Sequence, residues 1–297
     1  MKRKLLLDTD IGTDIDDALA LPLLLSSPEV ELLGITTVSD KTERRAAYAD
    51  VICRHMGRTV PIYAGASLPL AIPPVGNYVN APHERMAGMY PYGPASGYGI
   101  AETIGFLRDT ILANPGEVTL VCIGPLTNAA LLFSLYPETV KALGSLCVMG
   151  GSYGENPRCD WDIRVEWNMK CDPYAAKIVM EADVKQLLAV GVEVTWDYQK
   201  PREAVYAMLN ELPCMTPVAE GAVRNWQDKE IWFHDVLLCA AVLYPEQAEL
   251  ERGTISVDLE GHTVFTPGAN GHCSLVRGWH GGEEAFYRLY CKNLILC

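Results

Sequence analysis

The stretch DTDIGTDIDDA, residues 8–18, decides how this chain reads. It follows the apolar run Leu5-Leu-Leu7 and leads into LALPLLL at 19–25, so a buried strand turns into a helix at this point. Five aspartates, Asp8, Asp10, Asp14, Asp16 and Asp17, are gathered at the junction. Like charges this close repel unless protons or a cation neutralise them. A divalent cation is the simplest neutraliser, and all-oxygen ligands favour Ca²⁺ or Mg²⁺. Gly12 permits the tight turn that gathers the carboxylates. Helix capping by Asp14 or Asp16 is the plainer account, but it covers one or two aspartates and not five.

Outward from this segment, short apolar runs alternate with helical patterns. Residues 16–26 read as a helix that Pro22 should kink or shorten. Strands are expected at 31–38, 60–63, 118–123, 143–149 and 186–190. Helices are expected at 43–56, 101–113, 126–135, 173–181, 202–210, 217–230 and 236–243. Residues 70–99 lack periodicity and read as a long loop of the kind that borders sites. The tail has strand character at 254–257 and 264–266, then a helix at 283–291. Such alternation implies an α/β fold, an open, mostly parallel sheet with helices on both faces. Ligands in such sheets bind beyond the carboxyl ends of the strands. No repeat or linker interrupts the pattern, so 1–297 reads as a single domain.

Composition narrows the function. The formal net charge of −13 argues against nucleic acid and anionic membranes as partners, though not against a small neutral substrate. No run approaches the roughly 18 apolar residues needed to span a bilayer. The basic Met1-Lys-Arg-Lys start is followed by only three leucines before Asp8, too short an apolar run for an export signal, so a cytoplasmic protein is expected. The chain has 10 cysteines but no CxxC, and Cys122 and Cys147 sit in apolar runs. They read as free buried thiols in a reducing compartment.

The segment DTDIGTDIDDALAL resembles the N-terminal signature of the inosine–uridine-preferring nucleoside hydrolase family. The likeness continues in order through LLGITTV (32–38), PIYAG (61–65), TLVCIGPLTNAA (119–130), VMGGSYG (148–154), EWNMKCDPYAA (166–176) and His234-Asp235. The resemblance implies a Rossmann-like fold and hydrolysis of the N-glycosidic bond of ribonucleosides to ribose and free base, as in purine and pyrimidine salvage. It implies a Ca²⁺ cofactor held by Asp10, Asp17, the Ile123 carbonyl and Asp235, with Asp10 as general base on the bound water. It implies ribose contacts from Asp16, Glu166 and Asn168, a supporting role for Asp8, and His234 as acid toward the leaving base. It also implies a homodimer or homotetramer. Anionic groups around the sugar suit an oxocarbenium-like transition state, and an ordinary histidine can hold a proton near neutrality.

Some positions depart from the family pattern. Two extra residues separate Gly12 from the Asp16-Asp17 pair, which brings Asp14 in as a competitor of Asp16. Where the family has a sugar-contacting Gly-Asn after ITTV, this chain has Ser39-Asp40-Lys41. The ribose-binding Asn before EWN corresponds to Asn156 or to Asp160. His234 beside Asp235 also reads as a cap and a core imidazole, and Asp172-Pro173 reads as a helix start with no chemistry. Two other functions stand beside hydrolysis. One is a ribose- or nucleoside-binding protein with weakened turnover, motivated by the lost Asn. The other is a Mg²⁺-dependent phosphatase of the haloacid-dehalogenase type, whose usual Thr or Val is here Gly12.

Overall fold

In a computed structural model, residues 2–73, 81–156 and 164–294 are described. The strands are β1 (Arg3–Thr9), β2 (Val30–Thr37), β3 (Ile62–Ala64), β4 (Gly97–Tyr98), β5 (Val118–Cys122), β6 (Ser145–Met149), β7 (Leu187–Val190), β8 (Gln199–Pro201), β9 (Glu230–Trp232), β10 (Ala248–Val257), β11 (Thr263–Pro267) and β12 (Cys273–Trp279). The α-helices are α1 (Asp17–Ser26), α2 (Thr42–His55), α3 (Ala81–Met89), α4 (Gly99–Ala113), α5 (Thr127–Leu135), α6 (Glu138–Ala142), α7 (Trp167–Cys171), α8 (Pro173–Met180), α9 (Val192–Thr195), α10 (Arg202–Asn210), α11 (His234–Leu243) and α12 (Gly282–Leu294).

Ten strands form one sheet in the order β11-β10-β12-β7-β6-β5-β1-β2-β3-β4, while β8 and β9 pair separately. From β12 to β4 neighbouring strands run parallel, and only β10 is antiparallel to its neighbours β11 and β12. The aspartate strand β1 is central, paired with β2 on one side and β5 on the other. Its side chains alternate as a strand requires. Leu5 and Leu7 enter an apolar cluster with α1, α2 and α11, whereas Leu6 enters a second cluster with α4, α5 and α8. Helices therefore cover both faces, and the mostly parallel α/β sheet expected from the sequence is present.

Four differences are informative. Pro22 does not shorten α1, which runs to Ser26 with every residue buried. The expected loop at 70–99 contains α3 and the short strand β4. The expected helix at 217–230 is a wide π-turn at Pro217–Ala222 and a 3₁₀ turn at Val223–Asn225, followed by β9. Strand β12 was not anticipated. Among the described residues seven cysteines are free, six of them buried, but Cys214 is disulfide-bonded, which corrects the expectation of free thiols at that position. Among the described residues, no helix is long and apolar enough to cross a membrane.

Candidate active site

The carboxyl ends of β1, β2, β5, β6 and β7 share one edge of the sheet. Beyond it lies a cavity of about 430 Å³ lined by Asp10, Asp14, Asp16, Asp17, Ile123, Glu166, Asn168, His234 and Asp235, among others. Each side chain arrives by a local rule. Gly12, at φ +112°, turns the chain out of β1, a region of backbone space that glycine enters without steric cost. Asp16 immediately precedes α1 and accepts the main-chain N–H of Leu19 and Ala20 on its carbonyl. Its carboxylate also accepts the Asp235 N–H at 3.0 Å. Two helix starts, α1 and α11, thus converge on the same carboxylates, and the positive ends of both helices favour negative charge there.

Asp16, Asp17 and Asp235 each place a carboxylate oxygen within 4.8 Å of the other two, and all three are buried. The Thr9 hydroxyl donates to Asp17, and Thr9 in turn accepts the Ile11 N–H at 3.0 Å. Asp10 lines the same cavity, outside that triad, and its carbonyl accepts from the guanidinium of Arg45. Asp8 lies one step behind, with one oxygen taking the Thr36 hydroxyl at 2.5 Å and the Asn128 amide at 2.8 Å. Its other oxygen is buried without a partner among the described residues.

Burial is the main force on these acids. It raises Asp8 to about 7 and Asp14 to about 6, and mutual charge adds to the rise. Asp16, Asp17 and Asp235 are pushed well above the ordinary carboxylate range by burial and then by neighbouring aspartates, Asp14 and Asp10 on Asp16, Asp10 and Asp16 on Asp17, and Asp16 and Asp17 on Asp235. Asp10 is raised by burial, partly opposed by Arg45. A converging set of buried carboxylates that resist ionisation fits a hard divalent cation, which supplies the missing charge.

On the opposite wall, the Glu166 carboxylate caps α7, accepting the N–H groups of Asn168 (2.8 Å) and Met169 (3.2 Å), and that of Gly151 at 3.0 Å. Burial raises it to about 7 against these three donors. The Asn168 amide donates to the carbonyls of Ile123 (3.3 Å) and Met149 (3.2 Å). His234 stands at the start of α11 with Nδ1 2.6 Å from the Thr195 hydroxyl. Its ring lies parallel to Trp232 and close to Trp196. The expectation that it holds a proton near neutrality is corrected, because burial lowers it to about 4.

Asn156 is not brought into this cavity. Its amide donates to the Glu193 carbonyl (2.6 Å) and to Asp197 (2.9 Å), and it lines a neighbouring cleft. Its alternative, Asp160, lies outside the described residues. The sequence reading missed Thr195 and Trp196, which have no motif, and Asn128, which sits in the family-like TLVCIGPLTNAA stretch.

The chain matches the family model described as inosine-uridine preferring nucleoside hydrolase over residues 5–284. The chain belongs to this nucleoside hydrolase family. It is 34% identical over 286 residues to a protein of Shigella sonnei named non-specific ribonucleoside hydrolase RihC, covering 90% of this chain and 87% of that one. It is 27% identical to uridine nucleosidase 1 of Arabidopsis thaliana, covering 94% and 84%. A solved purine-preferring ribonucleoside hydrolase from Gardnerella vaginalis superposes with a TM-score of 0.77 over 98% of both chains at 22% identity, a likeness of fold. As a nucleoside hydrolase the chain is an N-glycosyl hydrolase.

Proposed function

We propose that this nucleoside hydrolase releases ribose and free base with Asp10 as general base toward the attacking water and a calcium ion held by Asp10, Asp17, Asp235 and the Ile123 carbonyl. The observation that carries the reading is the cluster of buried carboxylates at the starts of α1 and α11, Asp16, Asp17 and Asp235, with Asp10 from the turn after β1 lining the same cavity. Bound calcium would supply positive charge that eases loss of the water's proton and grips the ribose hydroxyls. Asp16 shares the carboxylate triad and is placed to bind either the ion or a sugar hydroxyl.

The protein groups divide the remaining work. Asp10 accepts the proton of the water that attacks the anomeric carbon. Glu166 and Asn168 bind the sugar from the far wall, and the surrounding negative charge favours an oxocarbenium-like state. His234 faces the departing base. His234 Nδ1 lies 2.6 Å from the Thr195 hydroxyl. In the tautomer in which that hydroxyl turns from the Val192 carbonyl (3.3 Å) to donate to Nδ1, the neutral ring carries its hydrogen on Nε2 and offers it to a ring nitrogen of the base. Asp8 stays behind the wall and, through Asn128 and Thr36, holds the ends of β1 and β2 together. Cytoplasmic residence, action within purine or pyrimidine salvage and a homodimeric or homotetrameric assembly are further parts of this proposal, as is a chain that folds as one catalytic domain.

The test is ribose release from a panel of purine and pyrimidine ribonucleosides, with calcium and with chelator. Release that chelation abolishes, together with a loss of about 10³-fold or more in kcat for Asp10→Ala in a folded protein, is the expected result. A calcium-stabilised protein that releases no ribose would establish the binding-protein alternative instead.

A further inference from the structure

The Ser39-Asp40-Lys41 departure leads to a residue that the reaction, as set out above, does not use. Ser39 and Asp40 both have left-handed backbone, at φ 72° and 49°. This turn presents the Ser39 carbonyl inward, where it accepts Nε of Arg45 at 2.7 Å. Arg45 belongs to α2 and is fully buried. Its Nη1 donates to the carbonyls of Asp10 and, at 3.2 Å, Ile11. One guanidinium thus ties the loop after β2 to the loop after β1, directly behind the cavity.

Its charge points the same way. An arginine stays protonated under all ordinary conditions and is costly to bury unless paired. Here its donors go to the carbonyls of Ser39, Asp10 and Ile11, on the turns that border the cavity's carboxylates. Gly12 closes the arrangement. A Cβ there would lie 2.8 Å from the Tyr48 ring and 3.6 Å from Arg45 Nη1, so the aspartate turn rests directly on these two side chains of α2.

We propose that Arg45 is a positioning residue for the hydrolase: from behind the cavity it fixes the Asp10-Ile11 carbonyls, and through them the Asp10 carboxylate, in place of an anchor on the substrate side. The inference rests on the role given to Asp10 above. The experiment is a double-mutant cycle on the full chain with uridine and inosine, combining Arg45→Met with Asp10→Asn, alongside a calorimetric calcium titration of each folded protein. Arg45→Met should lower kcat about 100-fold with KM changed less than about threefold, and Arg45→Lys, which keeps the charge, should recover part of the loss. In the Asp10→Asn background the same change should cost less than about twofold, because its path to the reaction is already gone. Additive losses, or an unchanged kcat in Arg45→Met, would overturn the proposal. Should Arg45→Met fail to fold, Arg45→Lys takes its place in the cycle. If the parent chain hydrolyses neither nucleoside, it is the functional reading that falls. Arg45 is then judged by calcium affinity alone, which should weaken at least tenfold in the Met variant, an unchanged affinity counting against it.

Discussion

At the scale of single residues, His234 shows how a fold changes the chemistry that a residue type promises. An imidazole free in water titrates near neutrality. Among Trp196, Trp232 and the apolar start of α11, desolvation moves it to about 4, so it is neutral at pH 7. A neutral donor needs its tautomer fixed; Nδ1 lies 2.6 Å from the Thr195 hydroxyl, and the donor tautomer requires that hydroxyl to give its one hydrogen to Nδ1 and not to the Val192 carbonyl. His234→Ala and Thr195→Val are therefore expected to act alike. Each should slow inosine hydrolysis roughly 10- to 100-fold while leaving a riboside with a good leaving group, such as p-nitrophenol, nearly untouched. Steady-state kinetics on both substrates check this, and equal slowing of the two would reduce His234 to a packing residue. The aspartate cluster was legible because its spacing is itself the signal, whereas the His234-Asp235 pair was read only through the family resemblance. Thr195 and Arg45 were not. A threonine on a four-residue helix and an arginine in an amphipathic one look ordinary until the fold brings them against His234 and Asp10.

At the scale of elements, the strand–turn–helix at 3–26 was readable because a central strand is apolar throughout and its turn carries charge that has no other use. The helix start at Asp172 was equally plain: the carboxylate caps α8 at Ala175 and also accepts the Thr127 hydroxyl at 2.7 Å. Helix α3 was missed because Pro82 and Gly88 break the apolar period of its nine residues, and its order comes from packing. Met86 touches the wide turn at Pro217–Ala222 closely enough that a Cβ on Gly221 would meet it at 2.7 Å, and His83 is buried between Tyr48 and Trp226. Strand β12 was missed because its partner β7 lies far away in the chain and its own short run contains Arg277 and Gly278. The turn at Gly12 makes the sharpest prediction at this level. Gly12→Ala places a Cβ against Tyr48 in a backbone region that L-residues avoid. It should destabilise the protein by about 1–3 kcal/mol and lower turnover further, since Asp10 and Asp16 flank the turn. Urea unfolding with parallel kinetics measures both, and a variant of unchanged stability would show that the turn relaxes freely.

At the scale of the whole molecule, the negative charge has a consequence for stability that runs opposite to the usual acid sensitivity of proteins. Unfolded carboxyls release their protons near pH 4, whereas in the folded, metal-free chain burial holds Asp8 and Glu166 to about 7 and Asp14 to about 6. Between those limits the folded protein keeps protons that the unfolded chain has lost. Stability is therefore present at pH 4–5 and drains away as pH rises through 7, by on the order of 3 kcal/mol for each of the buried Asp8 and Glu166 and by less for the half-buried Asp14. Self-repulsion from the net charge of −13 acts in the same direction. The metal-free protein, held in chelator, should thus melt several degrees higher at pH 5 than at pH 7.5. Calcium should reverse the order, because it binds the ionised acids and stabilises only the state that gathers them. Thermal melts followed by circular dichroism at the two pH values, with chelator and with millimolar calcium, decide the matter. A chelated protein that gains stability from pH 5 to 7.5 would mean that these carboxyls are already ionised in the fold. A melting temperature indifferent to calcium at pH 7.5 would remove the ion from the proposed mechanism and leave the nucleoside hydrolase to neutralise its aspartates with protons.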